Sequence, residues 1–146
     1  MLISHRGNTV GPSLEENSPQ LILKTLQDGY LVEVDLWYDR NTETLNLGHD
    51  YPQYKVDFKF LSNPKIICHA KNLSALEYCL LNNIHCFWHQ EDEYTLTSNG
   101  YIWAYPGKPV SNKYKTIIVD NNKPSFKYDC MGICSDYVQL YKTHNI

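Results

Sequence analysis

The sequence predicts an α/β fold in which parallel strands form a trimmed or distorted barrel of the TIM type, with several helices missing. Strand and helix patterns alternate in the first half of the chain, which is typical of a parallel sheet with crossover helices. Beyond residue 83, strand patterns continue while helical patterns stop. A complete eight-unit barrel usually needs about 250 residues, whereas this chain has 146. We therefore expect one barrel that kept its strands and lost helices.

The first strand–helix–strand unit carries the clearest local signals. Strands are predicted at residues 2–5 and 30–38, where residues that favour extended structure are frequent. Between them a helix is predicted at 19–28, because Ser18 can cap its start, a proline takes its first position and a glycine follows its last turn. A further extended piece is predicted at 45–49.

A second unit follows, in which a strand at 65–71 precedes a helix whose leucines recur at helical spacing. Asn72 can cap this helix, and two asparagines close it near residue 83. The later strands are separated by polar or Pro/Gly loops and are predicted at 84–88, 101–105, 116–119 and 132–135.

The composition fits one globular domain over residues 1–146. Apolar residues make up 42% of the chain and charged residues 20%, which suits a core of ordinary size. A net charge of −3 gives no general attraction to nucleic acid or to anionic membranes. No apolar run approaches the roughly 18 residues of a transmembrane helix, and charge follows the first residues too closely for a signal peptide. We therefore expect a soluble cytoplasmic protein without nucleic-acid partners.

The remaining cysteine, aromatic and acidic residues are assigned mainly structural roles. The five cysteines are odd in number and mostly lie in apolar runs, which favours buried thiols over disulfides. His85 and His89 are about 13 Å apart along a strand, so a zinc site that combines them with cysteines is not expected. Strand aromatics are assigned to the core, with a ring-stacking platform as the alternative. Turn positions are predicted for Asp120, Asp129 and Asp136.

The strand at 30–38 contains a candidate metal site. Side chains alternate along a strand, so Glu33 and Asp35 share one face while valines and a leucine occupy the other. Paired negative charge on an apolar strand is costly unless a cation neutralises it. The alternative is a half-exposed strand with a solvated polar face.

Two histidine segments suit phosphate chemistry. His5 and Arg6 end the first strand, where an imidazole can transfer protons and a guanidinium can hold phosphate oxygens. His49, with Asp50 beside it, adds the second histidine that acid–base cleavage of a phosphodiester needs. Taken alone, the His–Arg pair equally fits a surface or capping arrangement.

A third histidine segment lies on the strand at 65–71. His69 and Lys71 share one face of this strand, where the imidazole could bind a metal and the ammonium could balance phosphate charge. The alternative is a hydrogen-bonded core histidine and a lysine that reaches water. His89, at the end of the next strand, is interpreted as part of the mouth of the substrate site.

The order and spacing of these pieces resemble a known enzyme family. His5-Arg6-Gly7, Glu16-Asn17-Ser18, the segment 29–35 and Gly48-His49-Asp50 are similar to the glycerophosphodiester phosphodiesterases, within the phospholipase-C-like phosphodiesterase barrels. The segment 132–137 looks like the last barrel strand of that family. The likeness covers residues 3–50 and this later strand, and it implies a complete but shortened barrel.

The resemblance implies roles for individual residues. His5 and His49 match the acid–base pair, Arg6 matches the phosphate contact, and Glu33 and Asp35 match two ligands of one divalent cation. Magnesium or calcium is the usual ion. The main departure is His69-Ala70-Lys71, which stands where the family has Glu-x-Lys and leaves room for manganese or zinc. The alternative is that His69 contacts phosphate or the nucleophile directly, while Glu33, Asp35 and water hold the ion. Partners that orient Arg6, a metal ligand or His49 are expected at Glu16, Asn17 and Asp50, with helix capping as the alternative for Asn17.

We therefore expect a metal-dependent phosphodiester hydrolase that cleaves a small glycerophosphodiester-like substrate by His/His acid–base catalysis, with a role in lipid metabolism. A catalytically inactive barrel that binds a phosphate ligand is the first alternative, because the third acidic position is not acidic. An aromatic-rich sugar-binding domain is the second alternative.

Overall fold

The computed structural model describes residues 1–124 and 127–143. Within these ranges the chain forms one curled sheet with few helices. The strands are β1 Leu2–His5, β2 Leu31–Asp39, β3 Thr44–Leu47, β4 Tyr54–Val56, β5 Ile66–Ala70, β6 Cys86–Phe87, β7 Tyr94–Leu96, β8 Ile102–Ala104, β9 Thr116–Val119 and β10 Gly132–Ser135. The helices are α1 Pro19–Gln27, α2 Phe58–Leu61, α3 Leu73–Leu81 and α4 Val138–Thr143, with a 3-10 turn at Lys113–Lys115.

The sheet is mostly parallel and curls toward itself. Its strand order is β4-β3-β2-β1-β10-β9-β8-β7, and β5 joins β2 to β6. The pairings that involve β3, β4 and β7 are antiparallel, while the others are parallel. Near the open side, Ser98 N donates to Cys86 O at 2.8 Å and Thr95 Oγ1 donates to Trp88 O at 2.9 Å. The segment that begins with β7 therefore lies against β6, and the arrangement is compatible with a distorted barrel.

The two predicted helices form where their caps indicated. Ser18 Oγ accepts from Leu21 N at 3.2 Å and begins α1, and Asn72 Oδ1 accepts from Ala75 N at 2.9 Å and begins α3. Such caps satisfy amide groups that the first helical turn leaves without partners. Both helices cover the outer face of the sheet, where Ile22 and Ala75 are buried against the alternate residues of β2.

A second apolar cluster fills the inner, concave face of the sheet. It draws two side chains from β9 and one from each of five other strands, and it consists of Ile3, Ile67, Phe87, Trp103, Ile117, Val119 and Cys134. Four of the five cysteines are buried and all five are free thiols, as their apolar sequence contexts predicted. Because this cluster fills the interior, polar side chains of the same face collect at the carboxyl ends of the strands.

The expectation that helices stop after residue 83 is wrong. Helix α4 follows β10, and its buried Tyr141 packs against Ile118 and Ile133 on the outer side of the sheet. A six-residue helix is too short to display a clear helical period, which is why the pattern missed it. Strands β4 and β7, with three residues each, and helix α2, with four, were also not predicted. They are too short to show a clear strand or helix period. No helix in the described ranges has the length and apolar character required to cross a bilayer.

Candidate functional site

Strand pairing assembles the site where the carboxyl ends of β1 and β5 flank the middle of β2. In the parallel pairs, His5 lies opposite Glu33 and Asp35 lies opposite His69. Side chains opposite one another in a sheet point to the same face. Four of the predicted residues therefore meet on the inner face without help from any loop.

Glu33, Asp35 and His69 form a cluster that could hold a metal ion. One ligand atom from each residue lies within 4.8 Å of the others. His69 Nδ1 is 3.3 Å from Asp35 Oδ1 and 3.9 Å from Glu33 Oε1, and the two acidic side chains are only 1% and 2% exposed. Glu33 Oε2 has no hydrogen-bond partner among the described residues. A buried carboxylate oxygen without a partner is costly in a protein interior, and a cation would remove that cost.

The two carboxyl groups of the cluster have opposite proton affinities. Burial, followed by the charge of Asp35, raises the pKa of Glu33. Burial would also raise the pKa of Asp35, but the proximity of His69, the charge of Arg6 and the hydrogen bond from Asn17 outweigh it and lower that pKa. One carboxylate is thus fixed in its charged form, while the other holds a proton more readily when no cation is present.

Asp35 is held by two residues that precede α1. Asn17 Nδ2 donates to Asp35 Oδ2 at 2.9 Å, and Asp35 N donates to Asn17 Oδ1 at 3.0 Å. Arg6 Nε lies 2.9 Å from the same Oδ2. Lys71 Nζ is 3.9 Å from Oδ1. Asn17 thus bonds both the side chain and the backbone amide of a candidate metal ligand.

Arg6 and Asn17 both adopt left-handed backbone conformations. Their φ angles are 58° and 65°, a region that residues with a side chain rarely occupy. Arg6 N donates to Glu33 O at 2.9 Å and Asn17 N donates to Arg6 O at 2.9 Å, which locks both residues against β2. Strain of this kind recurs at functional sites, where the surrounding structure fixes the positions of reactive side chains.

His5 is oriented by an aspartate from the far end of the chain. Its Nδ1 lies 2.8 Å from Asp136 Oδ1, and its Nε2 lies 3.8 Å from Glu33 Oε2. Burial would lower the pKa of His5, but the hydrogen bond to Asp136 and the charge of Glu33 outweigh it and raise that pKa. The pKa of Asp136 is lowered, because its hydrogen bond to His5 prevails over burial.

Asp136 lies in a turn, as predicted, but the contact of its side chain with His5 was not predicted, and neither was any role for Asn8. Asp136 follows β10 in a turn, yet its side chain is buried beside His5. Ser4 lies opposite Ser135, so the next residues of the two strands, His5 and Asp136, are neighbours. Strand alternation carried one step past the end of β10 could have found Asp136, but only with β1 already placed beside β10.

A polar network connects His5 to Arg6. Arg6 Nη1 donates to Glu16 Oε1 at 3.0 Å, and Asn8 Nδ2 donates to Glu16 Oε2 at 3.1 Å. The same amide group donates to Asp136 Oδ1 at 2.8 Å. Glu16 therefore bonds to Arg6, and Asn8 couples it to Asp136, the partner of His5.

A cavity of about 290 Å³ opens above these groups. Its polar lining includes seven of the predicted site residues, which are His5, Arg6, Glu33, His49, His69, Lys71 and His89. Phe87, Trp103 and Tyr105 form an aromatic wall, in which the rings of Phe87 and Trp103 are 4.5 Å apart between centroids. Burial and the charge of Glu33 raise the pKa of Tyr105 to about 12, so its hydroxyl keeps its proton. The strand aromatics therefore serve the core and the cavity together.

His49 lies at the mouth of the cavity rather than on its floor. The predicted extended piece ends at Leu47, and His49 stands in the following turn with its side chain 44% exposed. Its Nδ1 is 2.8 Å from Asp50 Oδ1. The turn is attached to β2, because Gly48 N donates to Asp35 O at 3.1 Å and Trp37 Nε1 donates to Gly48 O at 2.7 Å.

Two contacts hold the ring of His69 so that its Nδ1 points toward the carboxylates of Glu33 and Asp35. Its Nε2 is 2.9 Å from the carbonyl oxygen of His89, and its ring stacks on Phe87 with centroids 4.8 Å apart. The same His89 lines the cavity, whereas His85 Nε2 is bonded to Thr97 Oγ1 at 2.8 Å. His85 and His89 thus lie at different sites, as their separation of about 13 Å along a strand predicted.

Comparison of the chain with models of protein families, with curated proteins and with solved structures found no match.

Proposed function

We propose that this protein is a metal-dependent phosphodiester hydrolase built on a trimmed TIM-type barrel. The observation that carries the proposal is one cavity whose lining joins His5 and His49, two basic side chains, and Glu33 and His69 of a cluster suited to a divalent cation. Acid–base groups, phosphate-binding cations and a metal site are the parts that phosphodiester hydrolysis requires. A small glycerophosphodiester-like substrate suits a cavity of about 290 Å³.

Glu33, Asp35 and His69 would hold the cation. The unpartnered oxygen of Glu33 and the charged state of Asp35 fit an ion of this class. The family resemblance implies magnesium or calcium, while the imidazole leaves manganese or zinc open. When bound, the cation would supply Lewis-acid stabilisation of a phosphate oxygen.

The other groups would bind the phosphate and transfer protons. Arg6 and Lys71 place positive charge beside the cavity, where it would stabilise the charge that develops on the phosphate. His5 would take the proton of an attacking water or substrate hydroxyl at Nε2, as the new O–P bond forms. His49 would give a proton to the leaving alcohol oxygen as the old P–O bond breaks.

Alanine variants of the two histidines test the proposal. We expect His5→Ala and His49→Ala each to lower kcat/KM roughly 10²- to 10⁴-fold on the best substrate of a phosphodiester panel assayed with magnesium, calcium, manganese and zinc in turn. His85→Gln is the matched control, because His85 lies outside the cavity and is bonded to Thr97. Unchanged turnover in both alanine variants would refute the assignment.

A phosphate-binding protein without turnover is the second candidate. The exposure of His49 favours it, since a proton donor at the cavity mouth is less firmly positioned than His5. Retention of a phosphorylated ligand, together with no product under any of the four metals, would support this candidate. Sugar binding that resists a chelator and loss of Glu33 would instead indicate an aromatic carbohydrate site.

A further inference from the structure

The tautomer of His69 is fixed by its surroundings. A backbone carbonyl can only accept a hydrogen bond, so the contact of 2.9 Å with His89 O makes Nε2 the donor. The neutral imidazole then carries its lone pair on Nδ1. That atom faces Asp35 Oδ1 at 3.3 Å and Glu33 Oε1 at 3.9 Å, between the two buried carboxylates.

Several contacts hold the ring in this orientation. His69 lies opposite Asp35 in one parallel pair and opposite Phe87 in the next, and its ring stacks on Phe87 at an interplanar angle of 16°. Histidines that bind metals usually donate their second ring N–H to a carbonyl or carboxylate, which fixes the tautomer and the direction of the free nitrogen. In His69 the bond to His89 O fixes Nε2 as the donor, and Nδ1 points toward the two carboxylates.

The donor set therefore consists of one imidazole nitrogen and two carboxylates. Glu33 also supplies Oε2, a buried oxygen without a hydrogen-bond partner among the described residues, in addition to the Oε1 atom that faces Nδ1. Magnesium and calcium prefer oxygen ligands throughout, whereas manganese and zinc accept imidazole as well. Since His69 can contribute only a nitrogen ligand, it should favour the binding of manganese or zinc over magnesium or calcium.

We propose that Nδ1 of His69 is a direct metal ligand and makes the site selective for manganese or zinc over magnesium and calcium. This inference deepens the proposed function by naming the class of ion, while the metal site itself could exist without phosphodiester turnover. In this proposal His69 supplies the nitrogen ligand, which the two carboxylates cannot supply.

Manganese is the ion to test, because thiolates are preferred ligands of zinc and the chain has five cysteines, which would complicate a zinc titration. Pulsed electron paramagnetic resonance of the wild-type protein loaded with Mn²⁺ should show coupling to a directly bound ¹⁴N nucleus. The coupling should disappear in His69→Asp and persist in His49→Gln, which removes another histidine of the same cavity. Wild-type protein without ¹⁴N coupling to bound Mn²⁺ would overturn the proposal, whatever the variants do.

Affinities provide the second measurement. Calorimetric titration with Mn²⁺ and Mg²⁺ should give an affinity ratio that favours manganese and falls roughly tenfold or more in His69→Asp, which restores an oxygen donor. A ratio that His69→Asp leaves unchanged contradicts the inference. Turnover of phosphodiesters is scored separately, so nitrogen ligation without turnover would refute only the proposed hydrolase.

Discussion

At the scale of single residues, Asp136 determines what His5 can do. The pKa of Asp136 is lowered, so its carboxylate is ionised and accepts the hydrogen bond from His5 Nδ1 at 2.8 Å. The lone pair of neutral His5 is therefore on Nε2, the atom that lies 3.8 Å from Glu33. Asp136 positions a base without lining the cavity itself.

Asp136→Asn should separate the charge of this residue from its hydrogen bond. Asparagine keeps an oxygen acceptor for Nδ1 but removes the charge that helps raise the pKa of His5. We expect kcat/KM to fall roughly 10- to 100-fold. The acidic limb of its pH profile should move to lower pH, because His5 then loses its proton more readily.

Asp129→Asn is the control for this experiment. Asp129 is exposed, and its carboxylate accepts from Lys113 Nζ at 2.9 Å. Profiles of kcat/KM against pH for the three proteins decide the matter. An acidic limb that stays in place in Asp136→Asn, or moves to higher pH, would show that Asp136 does not control the proton on His5.

At the scale of elements, the sequence predicts the site best where it lies on regular strands. Alternation along β2 correctly placed Glu33 and Asp35 on the face opposite the valines, and alternation along β5 did the same for His69. Caps and a glycine defined α1 nearly to the residue. These signals are local, so a single chain displays them.

Other parts of the site depend on pairings that local patterns do not encode. Asp136 and His5 are 131 residues apart in the chain and meet only because β10 pairs with β1. Helix α4, which buries Tyr141, is stabilised by packing rather than by an amphipathic period of its own. The turn after β3 is fixed by backbone contacts at Gly48, which no composition rule foretells.

Gly48→Ala tests whether that turn positions His49. A Cβ atom at this position would overlap the carbonyl oxygen of Tyr51, so the turn must rearrange. We expect kcat/KM to fall at least tenfold, because a displacement of about 1 Å can cost as much as 10² in rate. The free energy of unfolding should drop by roughly 1–3 kcal/mol. Steady-state kinetics and urea denaturation provide the two measurements.

Gly100→Ala is the matched control for backbone strain. Gly100 also has a positive φ, of 81°, but a Cβ atom there meets no described atom within 4 Å. Its substitution should cost about 1–2 kcal/mol of stability while kcat/KM stays near the wild-type value. Equal kinetic losses in both variants would mean that stability, and not the position of His49, limits turnover.

At the scale of the whole molecule, the fold places a costly polar cluster on an apolar support. The inner face of the sheet is filled by the cluster of Ile3, Ile67, Phe87, Trp103, Ile117, Val119 and Cys134. The two buried carboxylates lie on that same face, close to one another and to the cavity. Two like charges in such surroundings destabilise the folded state unless a proton or a cation neutralises one of them.

Stability without metal should therefore decrease as the pH rises. The pKa of Glu33 is raised above its ordinary value of 4.5, so the folded state binds more protons than the unfolded state once the pH exceeds that value. The raised pKa of His5 adds a change of the same sign above 6.5. The lowered pKa values of Asp35 and Asp136 act in the opposite direction, but only when the pH falls toward and below 3.8.

Glu33→Gln isolates the contribution of this carboxyl group, because glutamine has nearly the same shape and cannot ionise. In the presence of a chelator, we expect the variant to be more stable than the wild-type protein at neutral pH and to lose less stability between about pH 5 and 7.

Saturating Mn²⁺, at about 100 times its Kd, should stabilise the wild-type protein by about 2.7 kcal/mol and the Glu33→Gln variant by much less. Urea denaturation followed by circular dichroism, at several pH values with chelator or Mn²⁺, measures all of these changes. Parallel stability curves for the two proteins, together with an equal response to Mn²⁺, would show that Glu33 neither holds the extra proton nor binds the cation that replaces it.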